Sequence, residues 1–146
     1  MRFRKAKKED ISKMFEILKI NSPKYPKKLA FQELNEMFSK SLLKPTYIVA
    51  EEKKGILAFG GFIRSWVDNL VVNFFWLNVH PNHMNKGIGS KLVNNLIKRI
   101  RNPKEKPLSK IITISTKIPS FFERFGFKTI KRQYDRDYDL MCKDTY

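Results

Sequence analysis

The chain has one cysteine, Cys142, and two histidines, His80 and His83. One thiol excludes an intrachain disulfide and any site built on four thiolates. Two histidines leave no His-rich centre to expect, so no metal is expected. Long apolar runs are also missing. The longest, such as residues 56–63, have strand length and fall far short of the ~20 residues of a membrane helix. No membrane association is expected. Acidic residues are scarce: 14 Asp plus Glu stand against 30 Lys plus Arg in 146 residues, a net charge of +16. There is no repeat and no low-complexity tract. The start, MRFRKAKKED, is basic without the apolar segment of a secretory signal. A reducing, cytoplasmic setting is the expectation.

What is present suffices for a core. Hydrophobic residues make up 42% and aromatics 13%, too much for a disordered basic tail. The length suits one domain spanning 1–146. Strand-like and helix-like segments alternate, which predicts a mixed α/β architecture. Residues 1–5 alternate apolar and basic side chains and predict a short strand. Ile11, Met14, Phe15 and Leu18 recur at helical spacing behind Glu9 and Asp10. After Pro23 and Pro26, residues 29–43 predict a second helix with Leu34, Met37, Phe38 and Leu42 on one side, stopped by Pro45. Strands are predicted over 47–51, 56–63 and 70–79, with turns at Lys53-Lys54-Gly55 and Asp68-Asn69. The second of these, almost unbroken in apolar residues, reads as a central strand. An amphipathic helix is predicted over 87–101, with Ile88, Leu92, Val93, Leu96, Ile97 and Ile100 on its apolar face. Pro103 and Pro107 predict a turn. A strand over 111–115, a short helix over 119–125 and a strand pair over 127–134 and 138–142 complete the chain.

The segment between the third predicted strand and the amphipathic helix carries chemistry. It reads Val79-His80-Pro81-Asn82-His83-Met84-Asn85-Lys86-Gly87-Ile88-Gly89-Ser90. Amides in the first turn of a helix lack intrahelical acceptors, and the helix dipole adds partial positive charge there. Gly87 and Gly89 keep side chains out of the way, and Lys86 adds a cation. The physics is that of a pyrophosphate cradle. The spacing matches neither a Walker motif nor a Rossmann fingerprint.

With its context, this segment resembles the acyl-CoA-binding motif of the GNAT superfamily of N-acetyltransferases. That motif is a strand, Val-x-Pro, then Arg/Gln-x-x-Gly-x-Gly/Ala opening a helix. Downstream, residues 119–127, PSFFERFGF, resemble the family's second signature, which ends in Tyr-x-x-x-Gly-Phe. The order of elements is similar to the family's over essentially the whole chain. The resemblance implies a mixed, mostly antiparallel sheet flanked by helices and splayed between its fourth and fifth strands. It implies acetyl-CoA as cosubstrate. The amides of Asn85, Lys86, Gly87, Ile88, Gly89 and Ser90, with Met84 beside them, would hold the pyrophosphate. The backbones of Leu77 and Val79 would meet the pantetheine arm, and Ser115 and Phe122 would lie near the thioester and the arm. The implied activity is N-acetyltransfer to a primary amine, by direct attack in a ternary complex. The acceptor would be an amine-bearing small molecule or a protein N-terminus or side chain. A homodimer is an option by family analogy alone.

Two positions depart from the family pattern. Met84 stands where Arg or Gln is usual, which removes one polar side chain near the phosphates. Phe122 stands where many members carry the tyrosine that protonates the departing thiolate. A thiolate leaves about 2 kcal/mol less readily than a thiol at neutral pH. Water, or a hydroxyl of Ser115, Thr116, Tyr134 or Tyr138, could supply the proton. On the amine side, freeing a lysine amine of its proton costs about 4.6 kcal/mol at neutral pH, an α-amine only about 1. The position matching the family's base on the fourth strand is Asn73, which is no base. A water chain ending on Asp68, His80 or Glu51 is the remaining route, and an acceptor amine of low pKa is favoured. The catalytic candidates are therefore Asn73, Ser115, Tyr134 and Tyr138.

The other singular residues read as structural. His80 before a proline reads as a strand-end residue and His83 as a solvated one. Trp66 and Trp76 read as core or cleft wall, Cys142 as a buried strand residue, and Arg64 as a charge near the cleft. For the basic surface, nucleic acid is possible but not favoured, because no RNA-binding or helix-turn-helix signature is present. A lysine-rich background, with 22 Lys against 8 Arg, plus steering of an anionic cofactor by Lys86, Lys91, Lys98 and Arg99 is preferred. Two readings stay open beside the enzyme: a CoA-binding regulator without turnover, and an RNA- or ribosome-associated protein.

Overall fold

The computed structural model describes every residue except Val67, Pro103 and residues 105–108. The turn predicted at Pro103 and Pro107 lies outside the described residues. Seven strands form one sheet: β1 (Arg2–Lys5), β2 (Thr46–Glu52), β3 (Gly55–Arg64), β4 (Val71–Val79), β5 (Ile111–Thr116), β6 (Lys128–Asp135) and β7 (Tyr138–Asp144). Their order is β1-β2-β3-β4-β5-β7-β6. Every neighbouring pair is antiparallel except β4 and β5, which run parallel. The final strand pair thus extends the main sheet, with β7 inserted between β5 and β6.

Helices cover both faces. α1 (Ile11–Asn21) and α2 (Lys27–Asn35) lie on one side. Their buried residues Met14, Ile17, Leu18 and Leu34 pack with Tyr47, Val49 and Phe59 of β2 and β3. α3 (Ile88–Ile100) lies on the other. Its six apolar residues, those the 3.6-residue period selects, pack on Ile48, Ala58, Phe74, Ile112 and Ile114. Each such side chain contributes about 1.5–3 kcal/mol on leaving water. α4 (Pro119–Glu123) is a short turn that buries Phe122.

Three expectations are corrected. The second helix does not run to Leu43: α2 stops at Asn35, and a tight 3-10 turn follows over Glu36–Phe38. Ser39 Oγ donates to the Glu36 carbonyl and Ser41 Oγ to the Glu36 carboxylate. These local bonds offer the backbone an alternative to helix, and Leu42 is left 98% exposed. Trp66 is also solvent-exposed at 79% rather than core or cleft wall. Cys142 is half-buried rather than buried.

Asp10, beside the start of α1, does more than begin a helix. It accepts the Lys7 amide at 2.7 Å and two bonds from the Arg4 guanidinium, at 2.6 and 3.1 Å. Arg4 also donates to Glu51 at 2.6 Å. This network ties β1 and β2 to the start of α1.

Candidate active site

The site begins where the sheet comes apart. β4 and β5 are paired from Val71↔Ile111 to Phe74↔Ile114 and no further. β4 then bulges against β3: Gly61 faces Phe75, but Phe59 faces Asn78. Trp76, at φ 51°, supplies the left-handed turn of the bulge. Bulges bend a strand and end pairing, and a left-handed non-glycine residue stores strain that its surroundings must hold. Two glycines opposite make room. A Cβ on Gly60 would stand 2.5 Å from Leu77 Cδ2, and one on Gly61 2.9 Å from both the Tyr47 and Phe75 rings.

The diverging strands leave a cleft of about 890 Å³. Its floor is β4 from Phe75 to Val79, its far wall Ile114 to Ile118, and its ends the starts of α3 and α4. His80 N–H donates to the Leu57 carbonyl on β3. Strand alternation then turns the Val79 amide and carbonyl away from β3, toward the gap. Asn21 Nδ2, from the end of α1, donates to that carbonyl and to Asn78 Oδ1, both at 3.0 Å.

At the α3 end the backbone is twice left-handed, at Asn85 (φ 63°) and Gly87 (φ 80°). Lys91 N–H donates to the Gly87 carbonyl as the first intrahelical bond. The amides of Ile88, Gly89 and Ser90 therefore have no acceptor within the helix. A Cβ on Gly89 would meet Phe121 at 3.6 Å and Val79 at 3.8 Å, inside the cleft; one on Gly87 would meet nothing. Gly87 is thus needed for its backbone angle, whereas a side chain on Gly89 would make ordinary contacts and take up space in the cleft.

Most of the residues singled out from the sequence converge here. Leu77, Val79, Met84 and Asn85 line the cleft, as do Gly87, Ile88, Gly89 and Ser90. Ser115, Phe122 and Tyr138 line it from the opposite side. Lys86 is exposed beside it. Phe122 is 3% exposed, with its ring edge-on to Phe121 and Phe127. Tyr134 donates its phenolic hydrogen to Ser115 Oγ at 2.6 Å.

Others lie outside the cleft or have their polar atoms already engaged, although Thr116 and His83 do line it. Asn73 Nδ2 donates to Thr113 Oγ1 across the paired part of β4 and β5. Thr116 is buried and accepts from Ile118 N–H. Glu51 is held by Arg4, Asp68 accepts the Leu70 amide, and His80 Nδ1 accepts the Asn82 amide. His83, read as solvated, is half-buried against the His80 ring and lines the cleft. Lys98 and Arg99 sit in the last turn of α3, about 15 Å along the axis from the first. Arg99 there donates to Asn95 and the Phe3 carbonyl.

Sequence reasoning missed two features. Arg124 lines the cleft and stacks on Phe121 at 4.8 Å; its i+3 spacing from Phe121 was the available signal. The second is a pocket of about 340 Å³ beyond Phe75, which it shares with the cleft. Glu33 and Glu36 line it together with Tyr47 and Phe75. Tyr25 Oη donates to Glu33 Oε1 at 2.7 Å, and its phenol is pushed up to about 12 by burial and by that carboxylate. Burial and nearby Glu33 likewise hold the Tyr47 phenol well above its usual value. These tyrosines stay neutral hydrogen-bond donors.

Among the described residues no group of three or more His, Cys, Asp or Glu could hold a metal ion. No helix among them is long and apolar enough to cross a membrane.

Comparison with known proteins bears on this geometry. A family model described as an acetyltransferase (GNAT) domain matches residues 44–129, more than half of the chain. No curated protein matches by sequence. Solved structures match over the full length. An aminoglycoside 6'-N-acetyltransferase complexed with coenzyme A superposes with a TM-score of 0.80 at 15% identity, covering 100% of this chain and 98% of that one. A GNAT acetyltransferase from Staphylococcus aureus Mu50 gives 0.77 at 19% identity, covering 99% of each chain. N-acetylglutamate synthase from Neisseria gonorrhoeae, complexed with coenzyme A and N-acetyl-glutamate, gives 0.73 at 12% identity; 99% of this chain matches 35% of that one.

Proposed function

The chain belongs to the GNAT acetyltransferase family, and from that premise we propose that it moves an acetyl group from acetyl-CoA to a primary amine by direct attack in a ternary complex. One observation carries the reading. The gap between β4 and β5 runs into the start of α3, where Gly89 leaves the cleft open beside amides that lack helical acceptors. An extended amide-bearing arm with an anionic end fits that shape: the strand edge offers the Val79 amide, and the helix start favours negative charge. Lys86 and Arg124 add cations at that end.

The chain's residues divide the work. Ile88, Gly89 and Ser90 amides bind the pyrophosphate. Leu77 and Val79 main-chain groups align the arm, and Phe122 excludes water from one wall. The thioester supplies the activated acetyl group. The acceptor enters from the Phe75 side, where Glu33, Glu36 and two aromatic rings suit an ammonium-bearing molecule. In a chain of net charge +16, two carboxylates over one apolar pocket favour a cationic acceptor over nucleic acid. Residues 1–146 act as one domain in this reading, in the cytoplasm.

Titration calorimetry tests it. Coenzyme A should bind with a Kd in the micromolar range, about −8 kcal/mol, and Gly89→Asp should abolish the heat. Absence of binding to the intact protein would end the reading.

A further inference from the structure

The β6–β7 pair contains an irregularity that core packing does not explain. β6 pairs Lys131 with Leu140 and Asp135 with Tyr138, so it takes four steps (135 − 131) where β7 takes two (140 − 138). Within those extra residues Gln133 is left-handed, at φ 44°. Its amide is held by Asp139 Oδ1 at 2.9 Å. A bulge re-aims the side chains beside it. Here it sends Tyr134 back over β7 to Ser115 on β5. All eight residues of β6 are exposed, so Tyr134 buries no core by this excursion. Ser115 is the first residue of β5 beyond its last pair with β4, and it lines the cleft. Since Tyr134 donates to Ser115 Oγ, the serine's own hydrogen is left to point elsewhere.

Resting on the acetyltransferase reading, we propose that Ser115 is the proton donor to the departing thiolate, with Tyr134 as its positioning residue, in the role Phe122 cannot fill. The bond between the acceptor nitrogen and the carbonyl carbon forms and the carbon–sulfur bond breaks, its electron pair going to sulfur. Sulfur takes the Ser115 hydroxyl proton, Ser115 takes the phenolic proton of Tyr134, and solvent reprotonates Tyr134. The proton shed by the amine returns to solvent, so the exchange balances. A phenol is a stronger acid than an aliphatic alcohol, which is why the tyrosine stands behind the serine.

The test has two readouts on the full chain. The first needs no turnover: the thiol of bound coenzyme A is titrated by its thiolate absorbance. A donor to the thiolate lowers the pH at which that thiol ionises. Ser115→Ala should raise it by about half a unit or more, and Tyr134→Phe should raise it less. The second is kcat with acetyl-CoA. Ser115→Ala should lose roughly 100-fold, at the low end of general acid catalysis, with acceptor KM unchanged. Tyr134→Phe should lose about 10-fold, and the double variant no more than Ser115→Ala alone, because the tyrosine acts through the serine. Unchanged thiol ionisation in Ser115→Ala overturns the proposal, even if the wild type turns over. Additive losses in the double variant overturn the positioning role. If the wild type binds coenzyme A but acetylates nothing, the enzyme reading fails while the titration still decides for or against the Ser115 hydrogen bond. If coenzyme A does not bind, both readings fall.

Discussion

Asn21, the last residue of α1, donates through one amide group to Asn78 Oδ1 and to the Val79 carbonyl, both at 3.0 Å. It joins the end of α1 to the strand edge that would carry the cosubstrate. Asn21→Asp replaces two donated bonds by a carboxylate facing two acceptors. Leaving buried acceptors unpaired costs about 1–3 kcal/mol. The expected result is a lower unfolding midpoint and coenzyme A affinity weakened several-fold; calorimetry of both kinds checks it.

The two motif glycines should separate cleanly. Gly87 is left-handed but borders open space, so Gly87→Ala carries the left-handed cost of about 1–2 kcal/mol. Gly89→Val has no such cost and projects toward Phe121, into the cleft. The first should lower stability more than affinity, and the second affinity more than stability. Paired melting and titration curves read both.

At Gly61 the constraint is purely steric. A methyl group there meets two ring edges at 2.9 Å, one of them from the fully buried Tyr47. Gly61→Ala should destabilise the fold by about 1–3 kcal/mol, as overpacked cores do, which denaturant unfolding measures directly.

Asp10 gives a pH dependence. Burial pushes its carboxyl up, but the Arg4 guanidinium and the Lys7 amide more than offset that and hold it below its usual value. A carboxyl depressed in the folded state binds its proton more readily when unfolded. Its stabilisation is therefore complete above the ordinary carboxylate value, near pH 4, and is lost as pH falls below it. Unfolding midpoints should drop over that window in the wild type. Asp10→Asn should start lower at neutral pH and show a shallower fall.

Much of this was legible in the sequence because it rests on local chemistry. The α3 face follows from its period, and the strand, Pro81, Gly87-x-Gly89 order places the helix start beside the strand end. What was hidden depends on pairing partners distant in sequence. The gap between β4 and β5 was expected from the family resemblance, and the pairing that stops at Phe74 and Ile114 bears it out; nothing local to Trp76 or Gln133 announces a left-handed bulge, so the aim of Tyr134 was not foreseeable. Asn73 matches the position of the family's base, but its register partner on β5 is Thr113, and the two side chains satisfy each other. The overlong second helix failed for a local reason: Ser39 and Ser41 bond back to Glu36, a competition that hydrophobic spacing does not register.

The central claim is amine acetylation in the β4–β5 cleft, and release of free thiol from acetyl-CoA tests it most directly. The purified chain is assayed across α-amines, lysine-like amines and polyamines, with Glu33→Gln in parallel. The account predicts amine-dependent thiol release, fastest with cationic acceptors, lost in Gly89→Asp. Acceptor KM should rise about 10-fold in Glu33→Gln, the loss of roughly one charge-assisted contact. Tight coenzyme A binding with no release above background for any amine would contradict it and leave a cofactor-binding protein without turnover.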